Sequence, residues 1–178
     1  MTTVTPTATG RPRPLADALL PRTAAVSTVL VVAGALLTAG AAQLSVPLWP
    51  VPVTGQTLAV LLVGSALGAR RGALSMTLYA LLGLVGLPVF ADGTAGPGVL
   101  VGPSGGYIVG FVAAAAVVGW VAERFGDRRF TAALLSFALG TMVTFAAGMS
   151  WLAVSLGTDL QHTLEYGLYP FVVGGVAK

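Results

Sequence analysis

The chain is predicted to be an all-α membrane protein, a bundle of six transmembrane helices. Three observations predict this. Charged residues make up only 8% of 178 residues, against the roughly 25% of a soluble domain. The mean hydropathy is +0.89, and the apolar residues fall into long runs separated by short polar or proline-rich breaks. All eight arginines fall on one side of a six-span arrangement.

Residues 1–22 are rich in Thr, Pro and Arg and lack apolar periodicity, which predicts a disordered cytoplasmic tail. Residues 23–178 then form a single transmembrane substrate-binding domain. Its first run, Ala24 to Leu44, has the length of about 20 residues that a spanning helix needs. A cleaved signal peptide is the rival reading, with Ala39-Gly40-Ala41 as the cleavage site, but the run is too long for a signal core of roughly 7 to 15 residues.

Ser45 to Thr57 follows, an uncharged stretch with Pro47, Pro50 and Pro52. Proline cannot continue a helix or donate a backbone hydrogen bond. Lipid tolerates such a segment only where it is buried in protein or lines a cavity, so it reads as a stiff cap over the bundle.

Leu58 to Leu67 is a short second run, able to span if Gln56 and Thr57 join it or if it sits slightly tilted inside the bundle, and it ends at Gly68 to Gly72. Ala73 to Phe90 is the third, broken by Pro88. Ala91 to Ser104 is a glycine- and proline-rich loop. Gly105 to Ala122 is the fourth run, Glu123 to Arg129 a polar turn, and Phe130 to Leu156 the fifth. Tyr166 to Lys178 opens a sixth run of thirteen residues. At about 1.5 Å per residue it falls short of a hydrocarbon core of roughly 30 Å, so the last helix reads as truncated in this chain.

Arg11, Arg13 and Arg22 precede the first run, Arg70 and Arg71 separate the second and third, and Arg124, Arg128 and Arg129 separate the fourth and fifth. The positive-inside rule then puts both termini in the cytoplasm of a multi-pass plasma-membrane protein. The outer loops are the proline segment, the loop with Asp92, and the loop with Asp159, His162 and Glu165.

Cysteine is absent, which excludes disulfides and thiolate metal sites. The pI near 9.8 does not imply nucleic acid, because no basic face is long enough to hold it. Asp159, His162 and Glu165 have helical spacing, but no second His or Cys completes a metal set. They read as a solvated loop, with no metal, no cofactor and no catalytic residue assigned.

Lys178, the only lysine, lies in an apolar run. It is either a cation for a ligand carboxylate or a snorkelling side chain. Asp92 either accepts from a ligand N–H or is satisfied by neighbouring glycine amides. Tyr107 either meets a ligand or belongs to the interfacial aromatic belt. Ser104 is a candidate N-cap of the fourth helix. On the first helix Gly34, Thr38 and Ala42 share one stripe and Ala35 and Ala39 an adjoining one, small-residue faces suited to close helix contact, either inside the bundle or with a partner.

Taken in order, Ala41 to Pro47, Pro50 to Val60, Leu67 to Ala73, Gly86 to Ala91, Gly102 to Gly110 and Tyr169 to Lys178 resemble the biotin-specific substrate-binding subunits (S components, BioY type) of energy-coupling factor transporters. The resemblance covers roughly residues 25 to 178. It implies the six-helix S-component fold with an outward-facing biotin site capped by the first outer loop. Lys178 would then face the carboxylate, Asp92 would sit near the ligand, and Gln56, Phe90 and Tyr107 would line or cap the site. Trp49, Thr54 and Gln56 are the cap residues from which a ligand contact is expected. Gly175 stands where the family often carries an acidic residue, a role left to Asp92 or water. The implied partners are a transmembrane coupling subunit, docked on Gly34, Ala35 and Ala39, and two ATPase subunits that alone would handle ATP. The competing readings are an S component for thiamin, riboflavin or another small vitamin, an intramembrane enzyme using Asp159, His162 or Glu165, and a purely structural bundle.

Overall fold

The computed structural model describes residues 14–21, 23–125 and 130–157. They form α1 (Leu15–Leu19), α2 (Ala24–Ala42), a two-stranded hairpin β1 (Ser45–Val46) and β2 (Val53–Thr54), α3 (Gln56–Leu67), α4 (Ala69–Leu84), a 3-10 turn (Ala91–Gly93), α5 (Pro97–Val101), α6 (Gly105–Phe125) and α7 (Phe130–Leu156). Among the described residues α2, α6 and Thr131–Leu156 of α7 are long and apolar enough to cross a membrane, and α3 is a shorter apolar helix. The sixth run, Tyr166 to Lys178, lies outside the described residues, as do Asp159, His162 and Glu165.

Helix α6 is the axis. Two-thirds (67%) of its apolar window is buried, against 22% for α2 and for α7, and it packs against α3, α4 and α7. Small residues bring these backbones together. A Cβ on Gly64 of α3 would stand 2.7 Å from the Ala115 carbonyl of α6, so only glycine permits that approach. Buried hydroxyls inside the helices give their hydrogen to the preceding turn: Thr38 to the Gly34 carbonyl at 3.0 Å and Thr144 to the Gly140 carbonyl at 3.1 Å. In an apolar surrounding this spares the cost of an unpaired polar group.

The helix starts and stops follow local chemistry. Thr23 caps α2, its Oγ1 accepting from the Val26 amide at 3.2 Å. Helix α4 ends in a Schellman turn: Gly86 takes φ 101°, its amide donates to the Gly83 carbonyl at 3.2 Å, and the Leu87 amide donates to the Leu82 carbonyl at 3.1 Å. The third run therefore ends at Leu84, well before Pro88.

Three expectations are corrected. The break expected from Gly68 to Gly72 is confined to Gly68, because α4 begins at Ala69. Glu123 makes this possible: its carboxylate accepts from the Ala69 amide at 2.9 Å and sits favourably at the positive end of α4. The polar turn after the fourth run begins later than Glu123, because α6 continues to Phe125. The tail is not structureless throughout. Asp17 of α1 pairs with Arg71 at 2.7 Å, Ala16 is buried, and α1 packs on α3; residues 1–13 lie outside the described part. The proline segment, expected as a stiff cap, is a hairpin. Ser45 pairs with Thr54 and Val46 with Val53 in an antiparallel ladder, extended by the Gly55 amide donating to the Leu44 carbonyl at 2.9 Å. The Trp49–Pro50 peptide at its tip is cis.

Arg70, Arg71 and Arg124 gather at one end of the bundle, where the Ala69–Glu123 and Arg71–Asp17 contacts join α4, α6 and α1. The hairpin, the 3-10 turn and the start of α6 stand at the other.

Candidate functional site

A cavity of about 280 Å³ opens at the hairpin end. Its walls come from four places in the chain. The hairpin and the start of α3 contribute Val51, Pro52, Thr54, Gln56 and Thr57; the 3-10 turn contributes Phe90, Ala91, Asp92 and Thr94. Helix α5 and the turn after it contribute Gly98, Val99, Gly102, Pro103 and Ser104, and α6 contributes Tyr107, Ile108 and Phe111. Most of the surface is apolar, with a few polar groups at fixed places, which is the usual make-up of a small-molecule site.

The aromatic walls are rigidly seated. Phe90 is 1% exposed and meets the buried Tyr79 ring edge-on at 5.5 Å. A Cβ on Gly83 would collide with the Phe90 ring, so a glycine in α4 makes room for the wall of the site. Tyr107 lies in the first turn of α6 and meets Phe145 of α7 edge-on at 6.0 Å. Edge-to-face pairs of this kind add about 0.5–1.5 kcal/mol beyond the area they bury. Ser104 holds the first turn of α6 through its carbonyl, which accepts from the Tyr107 and Ile108 amides at 3.1 and 3.3 Å.

The polar groups form two connected sets. Inside, the Thr54 hydroxyl donates to Gln56 Oε1 at 2.7 Å, its Oγ1 accepts from the Gln56 amide at 3.3 Å, and Gln56 Nε2 donates to the Tyr79 hydroxyl. At the mouth, Ser45 Oγ donates to Asp92 Oδ1. Asp92 adopts the left-handed conformation at φ 55°, which aspartate tolerates better than most residues. Gln43 Nε2 reaches the Phe90 carbonyl at 3.1 Å, so two side chains tie the segment 43–45 to the 3-10 turn.

Of the residues singled out in the sequence, Asp92, Tyr107, Gln56, Phe90 and Thr54 come together around this cavity. Trp49 does not: it is 75% exposed at the hairpin tip and is not part of the wall. Lys178 and Gly175 lie outside the described residues. The stripe expected to dock a partner is turned inward. Gly34 and Ala35 are buried, Ala35 belongs to the central apolar cluster and Ala39 packs against it; a Cβ on Gly34 would meet Ser75 Oγ at 2.7 Å. Small residues there let α2 approach α4, so Gly34 and Ala35 face the interior of the bundle, while Ala39 is half-buried. Among the described residues no group of three or more His, Asp or Glu side chains is placed to hold a metal ion.

Sequence reasoning missed Tyr79, Ser45 and Phe111. A clue to Tyr79 existed. Gln56 and Tyr79 stand nearly equally far along the chain on either side of Gly68, the joint between two antiparallel helices, which brings them to one level.

The chain matches the BioY family model over residues 14–178. It is 35% identical over 152 residues to the biotin transporter BioY2 of Lactococcus lactis subsp. cremoris, covering 85% of this chain and 83% of that one. It is 39% identical over 149 residues to the biotin transporter BioY of Thermotoga maritima, covering 84% and 82%. The fold superposes with a TM-score of 0.74 and 25% identity, over 86% of both chains, on the crystal structure of the S-component for biotin from an ECF-type ABC transporter. With its helical bundle, its capped cavity and these relatives, the chain belongs to the BioY family.

Proposed function

We propose that this protein is the biotin-capturing subunit of an energy-coupling factor transporter. It binds biotin at the hairpin end of the bundle and delivers it inward together with an ATP-driven module. The observation that carries the reading is the cavity between the hairpin, the 3-10 turn and α6, in a chain 35% and 39% identical to two biotin transporters. Apolar walls from Val99, Ile108 and Phe111 suit a fused ring and an alkyl tail, and the Thr54–Gln56 pair and Asp92 supply polar contacts. The volume lies near the lower end of the roughly 300–1,000 Å³ of small-molecule sites, in keeping with a compact vitamin.

The role is binding and transport rather than catalysis. The sequence contains no phosphate-binding loop, so ATP hydrolysis falls to two ATPase subunits, joined through a transmembrane coupling subunit. The arginine-bearing end faces the cytoplasm by the positive-inside rule, and the cavity faces outward across the plasma membrane. Lys178 is the candidate partner of the biotin carboxylate.

Calorimetric titration of the detergent-purified protein tests the reading. Biotin is expected to bind saturably at one site, and thiamin and riboflavin not at all; binding of either of these with none of biotin overturns the assignment. Lys178→Ala is expected to weaken biotin far more than biotin amide, and equal losses remove the lysine from the site.

A further inference from the structure

Gln56 is 7% exposed and stands in the cavity wall. A primary amide offers two N–H donors and two carbonyl lone pairs. In Gln56 one lone pair receives the Thr54 hydroxyl and one N–H goes to the Tyr79 hydroxyl. One N–H and one lone pair are left over, on a side chain that lines the cavity. In the structure the carbonyl end of the amide faces Thr54 and the NH₂ end faces Tyr79, and Thr54 Oγ1 also accepts the Gln56 backbone amide. Tyr79 is held in turn, fully buried and edge-on to Phe90.

We infer that Gln56 determines specificity by reading a ligand edge that carries a donor and an acceptor side by side, the N–H/C=O edge of a cyclic urea, lactam or cis-amide. Thr54 and Tyr79 are positioning residues that hold the amide in register for it. The inference rests on the biotin reading, since the ureido ring of biotin carries such an edge. The carboxylate of Asp92 is acceptor-only when ionised, and reads at most the N–H half. The Gln56 amide matches both halves, and a ligand lacking either one strands a buried polar group, which costs more than the bond itself contributes.

The test is equilibrium binding of biotin and of biotin methylated on a ureido nitrogen to wild type, Gln56→Ala, Gln56→Asn, Thr54→Val and Tyr79→Phe. Wild type is expected to prefer biotin. Gln56→Ala is expected to lose about tenfold or more for biotin and much less for the methylated analogue, so that the preference collapses. Tyr79→Phe and Thr54→Val are expected to lose several-fold each, and Tyr79→Phe to add little when combined with Gln56→Ala, as positioning through Gln56 requires. Gln56→Asn keeps the amide but withdraws it by one methylene, and is expected to fold normally while losing the preference. An unchanged preference in Gln56→Ala or Gln56→Asn, with wild type binding biotin, overturns this inference alone. Additive losses for Tyr79 and Gln56 overturn the positioning role. Absence of biotin binding by wild type overturns the reading of the site, and this inference with it.

Discussion

Ser45 Oγ donates a hydrogen bond to the carboxylate of Asp92, joining the first strand of the hairpin to the 3-10 turn at the mouth of the cavity. In the ladder Ser45 stands opposite Thr54, and Thr54 holds Gln56. The mouth and the interior of the site are thus linked through one cross-strand pair. Asp92 thus serves as a latch for the hairpin as well as lining the cavity.

That arrangement predicts a kinetic effect. A partly exposed hydrogen bond to a carboxylate contributes on the order of 1 kcal/mol, or about fivefold in a rate. Ser45→Ala and Asp92→Ala are each expected to speed biotin release by about that factor in stopped-flow measurements, and the double variant by no more. If Asp92→Ala is far more damaging than Ser45→Ala, Asp92 touches the ligand directly.

Gly83→Ala places a methyl group where the Phe90 ring lies. Alanine in a helix interior favours folding by roughly 0.5–1 kcal/mol over glycine, while overpacking costs about 1–3 kcal/mol. The net change in thermal stability is therefore expected to be modest. Biotin affinity is expected to fall about tenfold or more, because Phe90 moves into the cavity it lines. A variant that binds as wild type does would show that the wall yields without cost.

Trp49 offers a contrast. At 75% exposure on the hairpin tip it has the character of an interfacial anchor. Trp49→Ala is expected to leave the biotin dissociation constant within about twofold. A loss of tenfold or more in the same titration would place the indole against the ligand.

At the opposite end, Asp17 and Arg71 are 13% and 17% exposed. Asp17→Asn removes the charge but keeps the shape, and is expected to cost roughly 1 kcal/mol. Faster hydrogen exchange at residues 16–20, with biotin affinity unchanged, is the expected signature. Unchanged exchange would show that the burial of Ala16 suffices to dock α1.

Much of the fold was legible because apolar run length and proline breaks are local properties. The fifth run, Phe130 to Leu156, coincides with α7, and the second begins at Gln56 once Gln56 and Thr57 join it. The misreadings share one physical origin. Arg70 and Arg71 look like a break between two helices until Glu123 supplies an acceptor for the Ala69 amide and Asp17 a partner for Arg71, both from positions distant in sequence. Of the site, the wall residues Gln56, Phe90 and Tyr107 were accessible through motif resemblance. The bond that makes Asp92 a latch was not, since nothing in either short segment announces the other. The small-residue stripe on α2 was recognised as a packing face, but composition does not say which neighbour it packs against.

The central post α6 has a further consequence. Beneath Phe111 the axis is filled: Val60, Ala114, Ala115 and Val118 are each 0% exposed, and α3, α4 and α7 close around them. The described residues thus build a cup with a single rim and a solid floor. Among the described residues a solute resting on that floor finds no path along the axis while these helices stay packed, so inward passage calls for their rearrangement.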